Sequence, residues 1–118
     1  MVSEIFMRGK KELFRRLKEG VVLTDGLERM IFDVYGSRGK RALETIKKRG
    51  VAKRGERWFV RGVRGAEYEV VRNYCSCRDY VFNIVTEKAD VDCCYHALAK
   101  TLCEALDAYY TLEPEPSG

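Results

Sequence analysis

The sequence predicts a single α+β domain with N-terminal helices, a small antiparallel β-sheet, and then a strand and a C-terminal helix that share a Cys/His cluster. Three observations predict this class. Apolar residues recur with helical spacing up to Gly50, the period then changes to two, and the cluster lies between Cys75 and His96. A chain of 118 residues has room for one hydrophobic core, so we treat residues 1–118 as one domain.

Residues 1–50 are predicted to be helical. The first helix runs from Ser3 to about Glu19. The second follows a cap at Thr24 or Asp25, and the third begins at Ser37, directly after Gly36. The apolar residues that we place on one side of the first helix are Ile5, Phe6, Leu13, Phe14 and Leu17.

Residues 51–72 are predicted to form β-hairpins, because apolar and polar residues alternate there. Segments 51–54 and 57–61 flank Gly55-Glu56 and read as one hairpin. A further turn leads into a strand over 67–71. These strands make the small antiparallel sheet of the predicted fold.

Residues 73–110 form the cysteine-rich part. A strand is predicted over 80–85, where aromatic and β-branched residues dominate, and a helix over about 93–110. Two prolines mark 111–118 as a short flexible tail.

The positive charge is segregated along the chain. The net charge is +4, yet residues 38–64 contain eleven lysines and arginines against Glu44 and Glu56, a local balance of +9. Such a segment can contact phosphate without reading sequence, although a solvated face of a heat-adapted protein would show the same charges. The candidate nucleic-acid contacts are Arg38, Arg41, Lys48, Lys53, Arg54, Arg57 and Arg61.

The composition limits the compartment. The chain has no glutamine and only two asparagines, which is typical of proteins from hot habitats. It has no apolar run of the ~20 residues needed to cross a bilayer and no signal-peptide pattern. We therefore expect a soluble protein of the cytoplasm, associated with the nucleoid, or of the nucleus in a eukaryote.

Two pairs of metal-ligating residues stand out in the cysteine-rich part. Cys75 and Cys77 are two apart, and Cys94 and His96 repeat that spacing. Residues two apart in an extended segment project to the same side, so each pair can reach one ion. Three thiolates and one imidazole are a donor set that zinc prefers in structural sites.

The other two cysteines are weaker candidates. Cys103 lies about 10 Å further along the predicted helix than His96, too far for the same tetrahedral ion. Cys93 competes with Cys94, and the two-residue spacing favours Cys94. The alternative interpretation is a lone histidine among buried cysteines that hold no metal.

The motif Cys75-x-Cys77 … Cys94-x-His96, with Ala99 three residues after the histidine, resembles the SWIM zinc finger. Over residues 27–110 the chain is similar to the SWIM subunits of the Shu complex. The resemblance is that of an archaeal homologue of these subunits. The chain departs from the family pattern at Tyr95, where lysine is frequent. The further segments that carry the likeness are Tyr35-Gly36-Ser37, Ala42-Leu43, Tyr74 and Tyr80-Val81-Phe82.

The resemblance implies a non-enzymatic subunit with one structural zinc ion. Such a subunit pairs with a paralogue of the RecA/RadA recombinase in homologous-recombination DNA repair. Four protein ligands leave no open position for catalysis, and we interpret Asp90 and Asp92 as caps of the last helix. DNA is a second expected partner, while no membrane and no small-molecule substrate are expected. The first and last helices are candidate partner surfaces.

Two other functions compete with this expectation. Helix, tight turn, helix and hairpin is also the order of a winged helix-turn-helix, so a stand-alone DNA-binding regulator is the alternative. A zinc-dependent enzyme is the third hypothesis, and it would lose turnover without unfolding when the metal is removed.

Overall fold

The structure is a computed structural model that describes residues 2–19, 23–62, 65–86 and 88–106, together with the backbone of 110–111. The helical part contains three helices: α1 (Glu4–Glu19), α2 (Asp25–Tyr35) and α3 (Ser37–Lys47). The hydroxyl of Thr24 accepts the amide hydrogen of Leu27 at 3.2 Å, so Thr24 is the cap of α2. Gly36, with φ of 63°, separates α2 from α3, as predicted.

Helix α1 buries a narrower stripe than the sequence suggested. Phe6, Leu13 and Leu17 are buried, but Ile5 is 83% exposed, so its assignment to the apolar side was wrong. Ile5 follows Glu4 at the first turn and lies about 100° round the helix from Phe6, which takes the inward position.

The close approach of α2 and α3 depends on Gly39. A Cβ atom at Gly39 would lie 2.6 Å from the carbonyl oxygen of Ile31 and 3.1 Å from its Cγ2. The contact is with backbone, which cannot rotate away as a flexible side chain can. The two helices pack at a distance that only glycine permits.

We therefore expect Gly39→Ala to destabilise the fold by about 2–3 kcal/mol, since the added methyl forces the helices apart. Gly26→Ala is the matched control in α2, because a Cβ there meets only Thr24 Oγ1 at 3.9 Å. That control should gain a few tenths to about 1 kcal/mol from helix propensity. Urea denaturation measures both changes; equal stability of the two variants would contradict the contact.

The strands of the described residues are β1 (Val51–Arg54), β2 (Arg57–Arg61), β3 (Glu67–Val71), β4 (Tyr74–Cys75) and β5 (Tyr110–Thr111). They form one five-stranded sheet in the order β4-β3-β2-β1-β5. Strands β1 to β4 are antiparallel neighbours, and β5 adds to β1 in parallel. The hairpin predicted around Gly55-Glu56 is confirmed, with Lys53 opposite Trp58.

The strand predicted over 80–85 is wrong. Tyr80–Ile84 form a π-helical turn, in which the amide of Val85 donates to the carbonyl of Tyr80 at 2.9 Å. Val81, Phe82 and Val85 are exposed, whereas Tyr80 and Ile84 pack against the core. The apolar residues that suggested a strand therefore do not mark a buried strand, because three of their side chains lie on the surface.

The last helix is α4 (Tyr95–Leu106), shorter than the predicted 93–110. It begins after Cys94; residues 107–109 lie outside the described part, and Tyr110 belongs to β5. Helix α4 packs against α1, α3 and the sheet, and Leu98, Ala99 and Leu102 have no exposed surface. It is therefore the centre of the hydrophobic core.

The predicted α+β class is confirmed: helices come first, then a small sheet, then the C-terminal helix with the Cys/His cluster beside it. Within the described residues, no helix is both long and apolar enough to span a membrane. Residues 63–64 of the predicted turn and residues 112–118 of the predicted tail lie outside the described residues.

Candidate metal centre

The first ligand pair is positioned by β4 and the π-helical turn. Cys75 pairs with Val70 in the sheet, with both side chains on the buried face. The chain then bends, and Cys77 receives the amide hydrogen of Tyr80 on its sulfur at 3.4 Å. Such an N–H···S bond stabilises a thiolate and orients it.

The second pair lies at the N-terminus of α4. Cys94 is the last residue before the helix, and the amide of Ala97 donates to its sulfur at 3.5 Å. His96 is the second residue of the helix and is 4% exposed. Free amides at a helix N-terminus favour a negative charge, which a thiolate supplies.

The structure brings the four predicted ligands together and leaves the other cysteines out. One ligand atom each from Cys75, Cys77, Cys94 and His96 lies within 4.8 Å of all the others, and all four residues are buried. His96 Nδ1 lies 4.0 Å from Cys94 Sγ. Tetrahedral zinc–thiolate geometry separates ligand atoms by about 3.6–3.8 Å, so small movements suffice to close the set around an ion. The four residues can hold a metal ion, and their donor atoms are compatible with zinc.

Three buried thiols this close cannot all ionise without a cation. The pKa of Cys77 is lowered because Cys75 and Cys94 hydrogen-bond to it. The pKa of Cys75 is raised to about 11 by its hydrogen bond with Cys77, and that of Cys94 is raised by its hydrogen bonds with Cys75 and Cys77. A divalent ion changes this balance by binding all three as thiolates, with release of their protons.

The face of His96 away from the cysteines is closely packed. Its Nε2 is buried and has no hydrogen-bond partner among the described residues. A Cβ at Gly62 would lie 2.8 Å from this nitrogen. The ring also contacts Tyr95 and Tyr68, with centroids 3.9 and 4.6 Å away. Packing therefore orients the imidazole. In many metal sites a hydrogen bond from the second ring nitrogen of the histidine has this role.

An ion pair that the sequence did not suggest holds the first ligand pair against α3. Arg38 Nε and Nη2 donate to the two carboxylate oxygens of Asp79 at 2.8 and 2.7 Å. Asn83 Nδ2 donates to Asp79 as well, at 2.9 Å. Arg38 thereby lowers the pKa of Asp79, and both side chains are about three-quarters buried. The two-point pairing orients the π-helical turn, which begins directly after Asp79.

Asp90 and Asp92 do not cap α4, so that expectation was wrong. Asp90 accepts hydrogen bonds from the amide and hydroxyl of Ser3, at 2.7 and 2.6 Å. Asp92 pairs with the ammonium group of Lys10 and accepts the hydroxyl of Tyr35. Both carboxylates attach the loop before the metal ligands to the helical part.

Cys93 and Cys103 are buried outside the cluster. Cys93 lies beside Asp92, and its pKa is raised by burial. Cys103 has no exposed surface, and burial raises its pKa to about 12. Both thiols stay protonated in these surroundings, which suits core residues better than ligands.

The candidate nucleic-acid contacts separate into several groups. Arg38 is engaged by Asp79, and Arg57 Nε donates to Glu69 at 2.6 Å. Arg57 and Arg54 both lie over the ring of Phe59, at 5.2 and 5.6 Å from its centroid. These guanidinium groups are occupied within the chain, so the structure does not present the seven cations as one face.

The other four candidate nucleic-acid contacts lie in two different places. Lys53 is 5.2 Å from the ring centroid of Trp58, on the opposite face of the hairpin from Arg54. Arg41, Lys48 and Arg61 line one cleft between α3, the end of β2 and the start of α4. Among the seven candidates, these three are found together in one concave site of the described residues.

No protein-family model, curated protein or solved structure matches this chain. The resemblance to SWIM fingers stays an interpretation of the motif residues. The structure adds that the four motif ligands meet and that the motif residue Ala99 lies fully buried in α4.

Sequence reasoning missed Asp79 and Gly62. Asp79 lies two residues after Cys77, a position where an acid could have been noticed, but nothing in the sequence pairs it with Arg38. Gly62 follows a strand, where glycine usually indicates a turn, and only the folded chain places it against His96.

Proposed function

We propose that this chain is a non-enzymatic, zinc-structured subunit that acts with a RecA/RadA-type recombinase paralogue in homologous-recombination repair, at the chromosome. One structural observation supports the proposal beside the sequence resemblance. The buried Cys₃His cluster fixes a segment whose apolar side chains lie in solvent. A protein that needs a metal to shape an exposed apolar surface is suited to binding a partner.

The proposed role of the metal is structural. One zinc ion bound by Cys75, Cys77, Cys94 and His96 has four protein ligands and no position for a substrate or an activated water. It would join β4 and the π-helical turn to α4, elements with few other contacts between them. Its binding free energy would then be part of the folding free energy.

The proposed partner surface, here called the knuckle surface, consists of exposed apolar side chains around the metal centre. Val71 and Tyr74 face each other at the end of the β3-β4 hairpin. The ring of Tyr74 meets that of Tyr80 edge to face, 5.3 Å between centroids, which connects the hairpin to the π-helical turn. The knuckle surface comprises Val71, Tyr74, Val81, Phe82 and Val85.

The two helices considered as partner surfaces from the sequence differ in exposure. In α4, Leu102 is fully buried, so this helix serves the core. In α1, Met7 is half exposed and borders a shallow apolar depression with Phe14. The knuckle surface is the more specific candidate, because its shape depends on the metal ligands that carry the family likeness.

The test is a pull-down from native lysate with the tagged chain and two variants. We expect the wild type to retain a RecA-fold ATPase and Phe82→Asp to lose it, since the charge disrupts an apolar contact. Phe32→Asp is the matched control, because Phe32 on α2 is 52% exposed against 57% for Phe82. Recovery of nucleic acid with no RecA-fold protein, or equal retention by both variants, would count against the proposal.

A stand-alone DNA-binding protein is the second candidate, and one observation favours it. Arg41, Lys48 and Arg61 converge on a cleft without an ion-pair partner among the described residues. The lysate experiment that returns only nucleic acid would support this function. A steep fall of duplex affinity with salt would accompany it.

A further inference from the structure

We propose that the cleft between α3, the end of β2 and the start of α4 binds a phosphate group. The cavity has a volume of about 390 Å³. It borders the metal centre, because Tyr95 lies in its wall and Gly62 in its floor, and both contact His96. The residues that carry the proposal are Arg41, Lys48, Arg61, Tyr95, Gly50 and Gly62.

The lining of the cleft has an excess of positive charge. Arg41, Lys48 and Arg61 are exposed, and no carboxylate of the described residues forms an ion pair with them. Their neighbours differ, since Arg38, Lys47 and Arg57 each bind a carboxylate within the chain. Glu44 is the one acid in the lining, which leaves an excess of two positive charges. Converging cations that outnumber the acid in the lining favour an anionic ligand.

Two glycines in the lining let the segments around the cleft pack closely. A Cβ at Gly50 would lie 2.8 Å from Thr45 Cγ2, and one at Gly62 would lie 2.8 Å from His96 Nε2. The amide of Arg61 donates to the carbonyl of Gly50 at 2.8 Å, which fixes the two segments side by side. Glycine at both positions therefore lets Thr45 and His96 pack directly against the main chain, which holds the lining of the cleft in place.

The wall positions one of the cations. The guanidinium carbon of Arg41 lies 5.6 Å from the ring centroid of Tyr95, within cation–π distance. Tyr95 is itself held by its contact with His96, so Arg41 is placed over a rigid surface. A planar guanidinium held in this way suits two-point recognition of phosphate oxygens.

The volume of the cleft indicates the class of phosphate-containing ligand. A volume of about 390 Å³ is within the range of small-ligand sites and exceeds what one phosphate group fills. The ligand class is therefore a phosphate joined to a sugar or base, either a free nucleotide or one nucleotide of a strand. This inference does not need the recombinase partner. It deepens the stand-alone DNA-binding candidate, which rests on the same three cations, by naming the chemical group that they bind.

The test compares two double variants that each remove two positive charges. In Arg41→Ala/Lys48→Ala both side chains line the cleft; in Lys40→Ala/Lys11→Ala both are exposed and line no part of it. The probes are a labelled single-stranded oligodeoxynucleotide of about twelve nucleotides, followed by anisotropy, and adenosine triphosphate as competitor. Circular dichroism checks that each variant is folded.

We expect the cleft variant to bind the oligonucleotide about tenfold or more weakly at low salt. The slope of its log affinity against log salt concentration should become smaller in magnitude by about one to two, as for the loss of one to two phosphate contacts. The oligonucleotide affinity of the control variant should change by less than about threefold. Competition by adenosine triphosphate would show that the cleft accepts free nucleotides, and its absence would assign the phosphate to a strand. Equal affinities of the two variants for both probes would overturn the proposal. Retention of the RecA-fold ATPase by the cleft variant would show that the partner proposal stands independently.

Discussion

Replacing Cys94 with alanine is expected to release the metal and unfold the C-terminal part of the chain, whereas replacing Cys93 with alanine leaves both intact. Structural zinc contributes about 10–16 kcal/mol of apparent binding free energy in small zinc-finger peptides. A domain of ordinary stability has only about 5–15 kcal/mol to lose. Because α4 is the core helix and both Cys94 and His96 lie at its N-terminus, loss of the ion should disorder the core around it.

The measurement combines zinc content per chain with far-ultraviolet circular dichroism. We expect one zinc per chain for the wild type and for Cys93→Ala and Cys103→Ala, two variants that remove equally buried thiols outside the cluster. Cys94→Ala should hold none. Chelation of the wild type should reproduce the Cys94→Ala spectrum. Zinc loss in Cys93→Ala with retention in Cys94→Ala would assign the ligand to the neighbouring cysteine, and a chain that stays folded after chelation would contradict a structural role.

The second large effect is expected for Gly62→Ala. A methyl group at this position would lie 2.8 Å from His96 Nε2 and 2.9 Å from Tyr68 Cε2. The imidazole is packed between Tyr95 and Tyr68, so the added methyl is expected to displace it from its position beside the cysteines. We expect the metal affinity to fall by about 10- to 100-fold, the effect typical of disturbing groups that orient a metal ligand.

Competition with a zinc-binding indicator measures this change. Gly39→Ala is the matched control, because it overpacks the α2–α3 contact and leaves the metal ligands untouched. It should lower the free energy of unfolding while the zinc affinity of the folded chain stays unchanged. If both glycine variants bind zinc with wild-type affinity, the packing around His96 does not orient the ring.

The local features of the fold were predictable because neighbouring residues encode them. The hairpin around Gly55-Glu56 and the cap at Thr24 follow from turn chemistry and from a hydroxyl three residues before an amide. The four candidate ligands could be chosen from the two-residue spacing of each pair, which depends only on local chain geometry.

The error at 80–85 shows where local reasoning ends. Its aromatic and β-branched residues favour a strand, yet contacts to Cys77 and Asp79 hold it as a helical turn. Arg38, 41 residues earlier in the chain, fixes Asp79 in place. One residue that is distant in sequence, Arg38, thus contributes to the structure of this segment beside its local contacts.

The sequence by itself determined the α+β class, the hairpin and which four side chains can share a metal ion, because each depends on periodicity or spacing within a short segment. Only the tertiary structure decided that Arg38 serves Asp79, that Gly62 supports His96, and that Arg41, Lys48 and Arg61 meet in one cleft. Those relations join residues from different elements. The packing of α4 between the helices and the sheet brings them together, and no local pattern records it.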